Sequence, residues 1–202
     1  IENKNKNKNK KNLEILDVGC GKGALLVFLN QFLKSVKLTG IDISEPSDNY
    51  PKKISIIKSS LDEFNPNLTY DVIISTAVIE HIYDVRNFLK KCKKLLNKEG
   101  ILIIVTNDTQ TPLYLVSKLL AFFGFNIPYK RLYHPHHVNH FSRNNLNVLA
   151  KKVELKSIYL SGINVPLSSL DIPASNKIQK IIYKLVVKLL FLIGSFTGHR
   201  FL

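Results

Sequence analysis

The sequence predicts an α/β fold with a mostly parallel central sheet. Three observations carry this. Short β-rich runs alternate with helical segments between residues 13 and 106. A glycine cluster follows the first run and opens a helix. An acidic residue, Asp42, ends the second run. Strands joined through helices run parallel, and the helices cover the sheet faces. Ligands of such sheets bind at the carboxyl ends of the strands, so chemistry is sought just after each strand.

The elements follow in order. LEILDVG (13–19) is a buried-strand run, and GALLVFLNQFLK (23–34) an apolar-rich helix. KLTGIDIS (37–44) gives a second strand. Pro46 and Pro51 limit any helix over 46–53 to a short one. ISIIKS (54–59) and YDVIIST (70–76) give strands three and four. DVRNFLKKCKKLL (84–96) sets Val85, Phe88, Leu89, Cys92, Leu95 and Leu96 on one helical face. Gly100 is expected to close that helix as a C′ glycine, before a fifth strand, ILIIVT (101–106). Residues 113–123 read as a helix, 124–142 as a loop rich in His and aromatics, 143–151 as a helix and 153–160 as a strand.

Composition bounds the partners. The 202 residues hold 29 Lys and Arg against 15 Asp and Glu, a formal +14, and 45% are hydrophobic. That apolar share excludes full disorder and supports a core. Two cysteines, Cys20 and Cys92, cannot form a disulfide scaffold, so a reducing compartment is expected. The absence of Met suggests a trimmed or partial chain. The excess charge is uneven. Residues 1–12, IENKNKNKNKKN, carry five Lys and one Glu and read as a disordered arm. Residues 177–202 carry four Lys, one Arg and no acid. The expected domain over 13–176 keeps only +5, which gives little reason to expect nucleic acid as a partner.

The glycine loop reads Asp17-Val18-Gly19-Cys20-Gly21-Lys22-Gly23. Closely spaced glycines let backbone approach a ligand, and the helix that follows offers free N–H groups. Asp42 can accept hydrogen bonds from ribose hydroxyls. Together these predict a nucleoside-containing cofactor. The spacing of Gly19, Gly21 and Ala24 also meets the dinucleotide pattern, so an NAD(P)-dependent oxidoreductase is the alternative. A pyrophosphate would be repelled by Asp17. S-adenosylmethionine carries a sulfonium and an ammonium, which a carboxylate favours, and Asp17 tips the reading toward it.

These residues resemble the class I S-adenosylmethionine-dependent methyltransferases. LDVGCGKGALL (16–26) is similar to their first motif and GIDIS (40–44) to their second. Residues 70–108, with Asp71, Glu80-His81 and Glu99-Gly100, resemble the branch related to ubiquinone-biosynthesis O-methyltransferases, as does HHVNHFSRNNLNVLAKK (136–152). The resemblance implies a Rossmann-like class I methyltransferase sandwich. It implies that Asp17, Gly19, Cys20, Gly21 and Gly23 line the methionine end of the cofactor. Asp42 would hold the ribose and Ile43 would pack on the adenine. Ser60 and Leu61 stand where the family often has Gly-Asp, with Asp62 as a substitute acceptor, and Ser75 would lie beside the sulfonium.

Methyl transfer needs alignment and, for oxygen or nitrogen acceptors, often a base. Glu80, His81, His137 and His140 are the catalytic candidates, within a cluster that includes His134 and His136. Small-RNA 3′-end methyltransferases add a Glu three residues before the Glu-His pair and use it with a metal. Here that residue is Ala77. Pro135 prevents a regular helix through the histidines, and no metal is expected. Tyr129 and Tyr133 line the acceptor pocket or pack.

The tail, KIQKIIYKLVVKLLFLIGSF (177–196), repeats Lys at 177, 180, 184 and 188 on one helical face. Its longest uncharged run is too short to span a bilayer. Peripheral membrane contact is one reading, and a helix packed on the core or on a partner chain is the other. The expected activity is methyl transfer to oxygen or nitrogen of a small molecule or a glycan or lipid precursor, in the cytoplasm or peripherally at the membrane. A non-catalytic membrane- or RNA-associated protein that keeps the fold is a further alternative.

Overall fold

A computed structural model of the chain describes residues 12–46, 49–167 and 176–198. The expected disordered arm lies, but for Asn12, outside the described residues. The chain divides into two compact units, Ile1–Val78 with Asn87–Ile104, and Ile79–Arg86 with Val105–Leu202.

The first unit holds the sheet. Its elements are β1 (Leu13–Val18), α1 (Ala24–Phe32), β2 (Val36–Asp42), β3 (Ile54–Lys58), β4 (Tyr70–Thr76) and most of α2 (Val85–Leu95) and β5 (Leu96–Val105). The strand order is β3-β2-β1-β4-β5, and β1 pairs in parallel with both β2 and β4. The order reverses at β1, so the crevice at its carboxyl end is the natural ligand site. The last four residues of β1 are buried in succession, the pattern of a strand covered on both faces. Ile15, Leu26, Val36, Leu38, Ile54, Val72 and Ile74 form one core cluster. Asp71 has a structural task here. Its carboxylate accepts the Glu14 N–H at 2.9 Å and the Asn97 side-chain amide at 2.5 Å, joining β4 to its two neighbours.

Helix α2 buries Val85, Phe88, Leu89 and Cys92, as its periodicity predicts. Gly100 does not close it. Strand β5 begins at Leu96, immediately after the helix, and Gly100 lies inside the strand. A Cβ there would stand 3.0 Å from the Tyr70 carbonyl oxygen, so the glycine permits a close backbone approach. No helix forms over the described part of 46–53.

The second unit holds α3 (Pro112–Phe122), α4 (Ile127–Leu132), α5 (Arg143–Lys152) and α6 (Lys177–Thr197). Thr111 caps α3 with Pro at the first turn. Ser142 and Asn145 form a reciprocal capping box at the start of α5. Within the stretch read as loop, 124–142, the structure forms α4. The strand expected over 153–160 is absent. Glu154 turns left-handed at φ 58°, the Leu155 N–H returns to the Ala150 carbonyl, and Ile158 and Tyr159 are exposed. β-propensity without a neighbouring strand to pair with does not make a strand. Tyr114 and Phe191 form the unit's small core cluster, with Leu113, Leu132, Tyr133 and Val187 packed against them.

Candidate functional site

In the first unit the loop from β1 to α1 is left-handed at Gly19, Gly21 and Gly23, with φ of 74°, 52° and 70°. At two of them a side chain would have to displace a neighbour. A Cβ on Gly19 would meet Val78 at 2.2 Å, and one on Gly23 would meet Ile56 at 2.4 Å. Above Gly21 there is nothing within 4 Å. Glycine at that point is explained by its φ and by space left for a ligand. The N–H groups of Gly19 and Cys20 both bond the Ile41 carbonyl, at 2.8 and 3.1 Å, which ties the loop to the end of β2. Helix α1 starts from Gly23 with no side-chain cap, so its first N–H groups keep their polarity for a ligand.

Two carboxyl groups flank this loop and differ in electrostatics. Asp17 is 3% exposed. Burial, and then the charge of Asp42, pushes its carboxyl up to about 6. Among the described residues no cation pairs with it, and a buried acid so placed is poised for a cation. Asp42 is more open. Burial raises its value, but hydrogen bonds from the Ser44 side chain and from the Ser44, Gly21 and Ile43 N–H groups outweigh that and hold it below the ordinary carboxylate value. Oδ2 accepts the Gly21 N–H at 2.8 Å. Oδ1 accepts the Ser44 N–H at 2.8 Å and the Ser44 hydroxyl at 2.6 Å. Rotation of the Ser44 hydroxyl releases a lone pair on Oδ1.

The other expected cofactor contacts lie on neighbouring strand ends. Ile43 follows β2 and is 77% exposed, an apolar face open to a flat ring. The Ser59 N–H bonds the Asp42 carbonyl at 2.8 Å, bringing Ser60 and Leu61 beside β2. Asp62 forms a salt bridge with Lys91. The acid beside Ser60 is instead Glu63, whose carboxylate accepts the Ser60 hydroxyl at 2.8 Å, a pairing the sequence reading missed. Ser75 is buried in β4, and its hydroxyl has no hydrogen-bond partner among the described residues. That orphaned hydroxyl, the open space over Gly21 and the buried Asp17 fit a cationic nucleoside cofactor. Cys20 is not reactive: burial, with Asp17 and Asp42 nearby, pushes its thiol up to about 12.

In the second unit, Glu80 and His81 sit on a single 3₁₀ turn, Ile79–His81. Glu80 is 4% exposed and accepts the Thr106 hydroxyl at 2.8 Å. His81 Nδ1 lies 2.9 Å from the His136 carbonyl oxygen. A carbonyl only accepts, so Nδ1 carries a proton, and in the neutral ring the lone pair is on Nε2. The His137 ring meets His81 edge-on, 4.9 Å between centroids. One ligating atom each from Glu80, His81 and His137 lie within 4.8 Å of one another. Burial lowers His137 below the ordinary imidazole value, against an opposing pull from Glu80, and also lowers His140, with Lys118 adding to it. His140 meets His137 edge-on at 6.3 Å between centroids and Tyr133 at 4.7 Å. Tyr133 stacks on Tyr129 and meets Tyr114 edge-on, so both predicted tyrosines share one aromatic cluster. Thr106, its partner Glu80 being distant in sequence, was missed; a polar residue ending a strand is its sole sequence signal.

Residues 3–160 match the family model described as a methyltransferase domain. The ubiquinone biosynthesis O-methyltransferase of Rickettsia bellii is 31% identical over 126 residues, covering 58% of this chain and 52% of that protein. The (S)-tetrahydroprotoberberine N-methyltransferase of Eschscholzia californica is 26% identical over 99 residues, covering 45% of this chain and 28% of that protein. The chain thus spans about half the length of the first of these curated relatives, and less of the second. The plantazolicin methyltransferase BpumL, solved with SAH, superposes with a TM-score of 0.57 at 22% identity, over 70% of this chain and 55% of that one. The chain therefore belongs to the methyltransferase-domain family, with the Rossmann-like class I fold of S-adenosylmethionine-dependent methyltransferases and a relationship to the ubiquinone O-methyltransferase branch.

Proposed function

We propose that the protein transfers the methyl group of S-adenosylmethionine to an oxygen or nitrogen of a small molecule or of a glycan or lipid precursor. The observation that carries this is the buried Asp17, without a partner among the described residues, in the glycine loop, with Asp42 fixed at the end of β2. When bound, the cofactor supplies an electrophilic methyl group on a cationic sulfur. Asp17 balances its positive charge, Asp42 takes the ribose hydroxyls, and Ile43 covers the adenine. The relatives named above include an O- and an N-methyltransferase, and both acceptor atoms are kept in the proposal. The family match removes the nicotinamide alternative.

The proton of the acceptor goes to His137. Its lowered value keeps the imidazole neutral near pH 7, and Glu80 stabilises the imidazolium formed. His81, its tautomer fixed by the His136 carbonyl, holds the ring edge of His137. Calorimetry tests the cofactor half: Asp42→Ala should lower S-adenosylmethionine affinity at least about 100-fold while the chain stays folded, since it removes a charged hydrogen-bond acceptor. Unchanged affinity would remove the site assignment. A tritiated-methyl transfer screen against fractionated cell extract identifies the acceptor. With that acceptor, His137→Gln should lower kcat about 100-fold with a smaller change in KM.

A second reading of the same residues is favoured by one observation, the convergence of the Glu80, His81 and His137 ligating atoms. A divalent cation held there would orient the acceptor oxygen in place of proton transfer. Activity lost on dialysis against a chelator and restored by one divalent metal supports the cation. Activity indifferent to chelation supports the base.

A further inference from the structure

Helix α6 is built with two unlike faces. Val187, Leu190, Phe191, Gly194 and Ser195 are its half-buried or buried positions over the last three turns, and Val187 and Phe191 pack in the cluster of Tyr114 of α3. The opposite face is apolar and open. Ile178, Ile182, Leu185, Leu189, Leu192 and Phe196 recur at alternating spacings of four and three, all exposed, with Phe196 at 82%. At roughly 100° per residue these six fall within one stripe, about 100–180° around the helix from Phe191. Lys177, Lys180, Lys184 and Lys188 occupy the first three turns, within about 60° of the direction of Phe191, and the helix contains no acid. Helix α3, which packs on α6, ends in a second exposed apolar run, Phe122, Phe123, Phe125 and Ile127. Charge around this surface is one-sided: residues 109–202 carry twelve Lys or Arg against two acids.

We propose that α6 lies flat on an anionic lipid surface, its apolar stripe at the acyl boundary and its lysines among the head groups. No described helix is long and apolar enough to cross a membrane, and four lysines in the first three turns favour the interface over a span. A second copy of the chain is the competing occupant, because spacings of four and three also suit helix pairing. Charge decides against it: the helix carries four lysines and no acid, so a second copy brings no complementary charge. An anionic bilayer matches the lysines and takes the apolar stripe with them.

The test is flotation of the full chain with phosphatidylcholine vesicles, with and without roughly one-third phosphatidylglycerol, in about 100 mM salt. Binding at least about tenfold stronger to the anionic vesicles is expected, weakening as salt rises. Reversing the exposed lysines, Lys180→Glu with Lys184→Glu and Lys188→Glu, should reduce binding to the level seen without phosphatidylglycerol. Leu185→Asp with Leu189→Asp should lower binding to both vesicle types. These side chains are exposed, and an unchanged circular dichroism spectrum checks that each variant is folded. No preference for anionic vesicles, or equal binding by wild type and both variants, would overturn the proposal. So would a dimer in analytical ultracentrifugation that Leu185→Asp dissolves without any vesicle binding, or binding to single-stranded RNA alone.

Discussion

The glycine loop of the first unit and the histidine cluster of the second are assembled in different ways. Asp17, Gly19, Gly21 and Gly23 lie within seven residues, and their geometry follows from local backbone: three left-handed glycines and two N–H bonds to Ile41. Glu80, His81 and His137 are separated by 56 positions, and only the fold brings them within 4.8 Å. The loop is a backbone device built on glycines. The cluster is a side-chain device held by Thr106 and the His136 carbonyl. A change in the loop should therefore act on shape and cofactor affinity, and a change in the cluster on rate.

The sharpest way to break this contrast lies inside the loop. Gly19→Ala and Gly21→Ala impose the same left-handed penalty, about 1–2 kcal/mol. Only the first also drives a Cβ into Val78, adding about 1–3 kcal/mol of overpacking. Urea unfolding should show Gly19→Ala destabilised by roughly 3 kcal/mol and Gly21→Ala by about half of that. Calorimetry should show the reverse emphasis: Gly21→Ala fills the open space and loses most cofactor affinity while the protein remains folded. Equal stability losses, or full affinity in Gly21→Ala, would mean that the space above Gly21 is not the ligand's.

Asp17 gives a smaller effect with an opposite sign. Its folded value, about 6, stands above the ordinary 3.8, so the folded chain takes up a proton more readily than the unfolded one. That contribution is complete below about pH 4 and is lost as pH rises through 6, on the order of 3 kcal/mol. Asp17→Asn should therefore stabilise the ligand-free protein at pH 7.5 by up to about that amount, with the gain shrinking toward pH 4. The same variant should bind S-adenosylmethionine more weakly. A variant both less stable and less able to bind would assign Asp17 to the fold rather than to the cofactor.

The same contrast governs what was legible in the sequence. β1 to β4 and α1 could be read because each is a local run ended by its own punctuation, such as Gly19 after β1 and Pro46 after β2. The glycine loop and Asp42, proposed to hold the cofactor, were legible for the same reason. Glu80, His81 and His137 were each legible as chemistry-bearing types, but their convergence was not, because no local pattern encodes a contact across 56 positions. Gly100 was misread because a glycine after a helix and a glycine at a close backbone approach look alike until Tyr70 is placed beside it. Residues 153–160 have strand-forming side chains, but a strand needs a neighbour, and a single sequence does not show which neighbours are available.

Ala77 offers the finest test, because it joins the two regions in the chain: it follows β4 and precedes the Glu80-His81 turn. It is exposed, and its φ of 55° places a side-chain-bearing residue in the left-handed region. Nothing about its methyl group explains alanine there on grounds of stability, since glycine would adopt the same backbone without strain. Ala77→Gly relieves the left-handed cost, about 1 kcal/mol, but gives back part of it through the greater freedom of the unfolded chain. A net gain of a few tenths of a kcal/mol is expected from urea unfolding. If alanine is retained to hold the turn in one conformation, the variant should show lower kcat with unchanged cofactor affinity. Wild-type kcat in a more stable Ala77→Gly protein would show that the strain has no part in presenting Glu80 and His81.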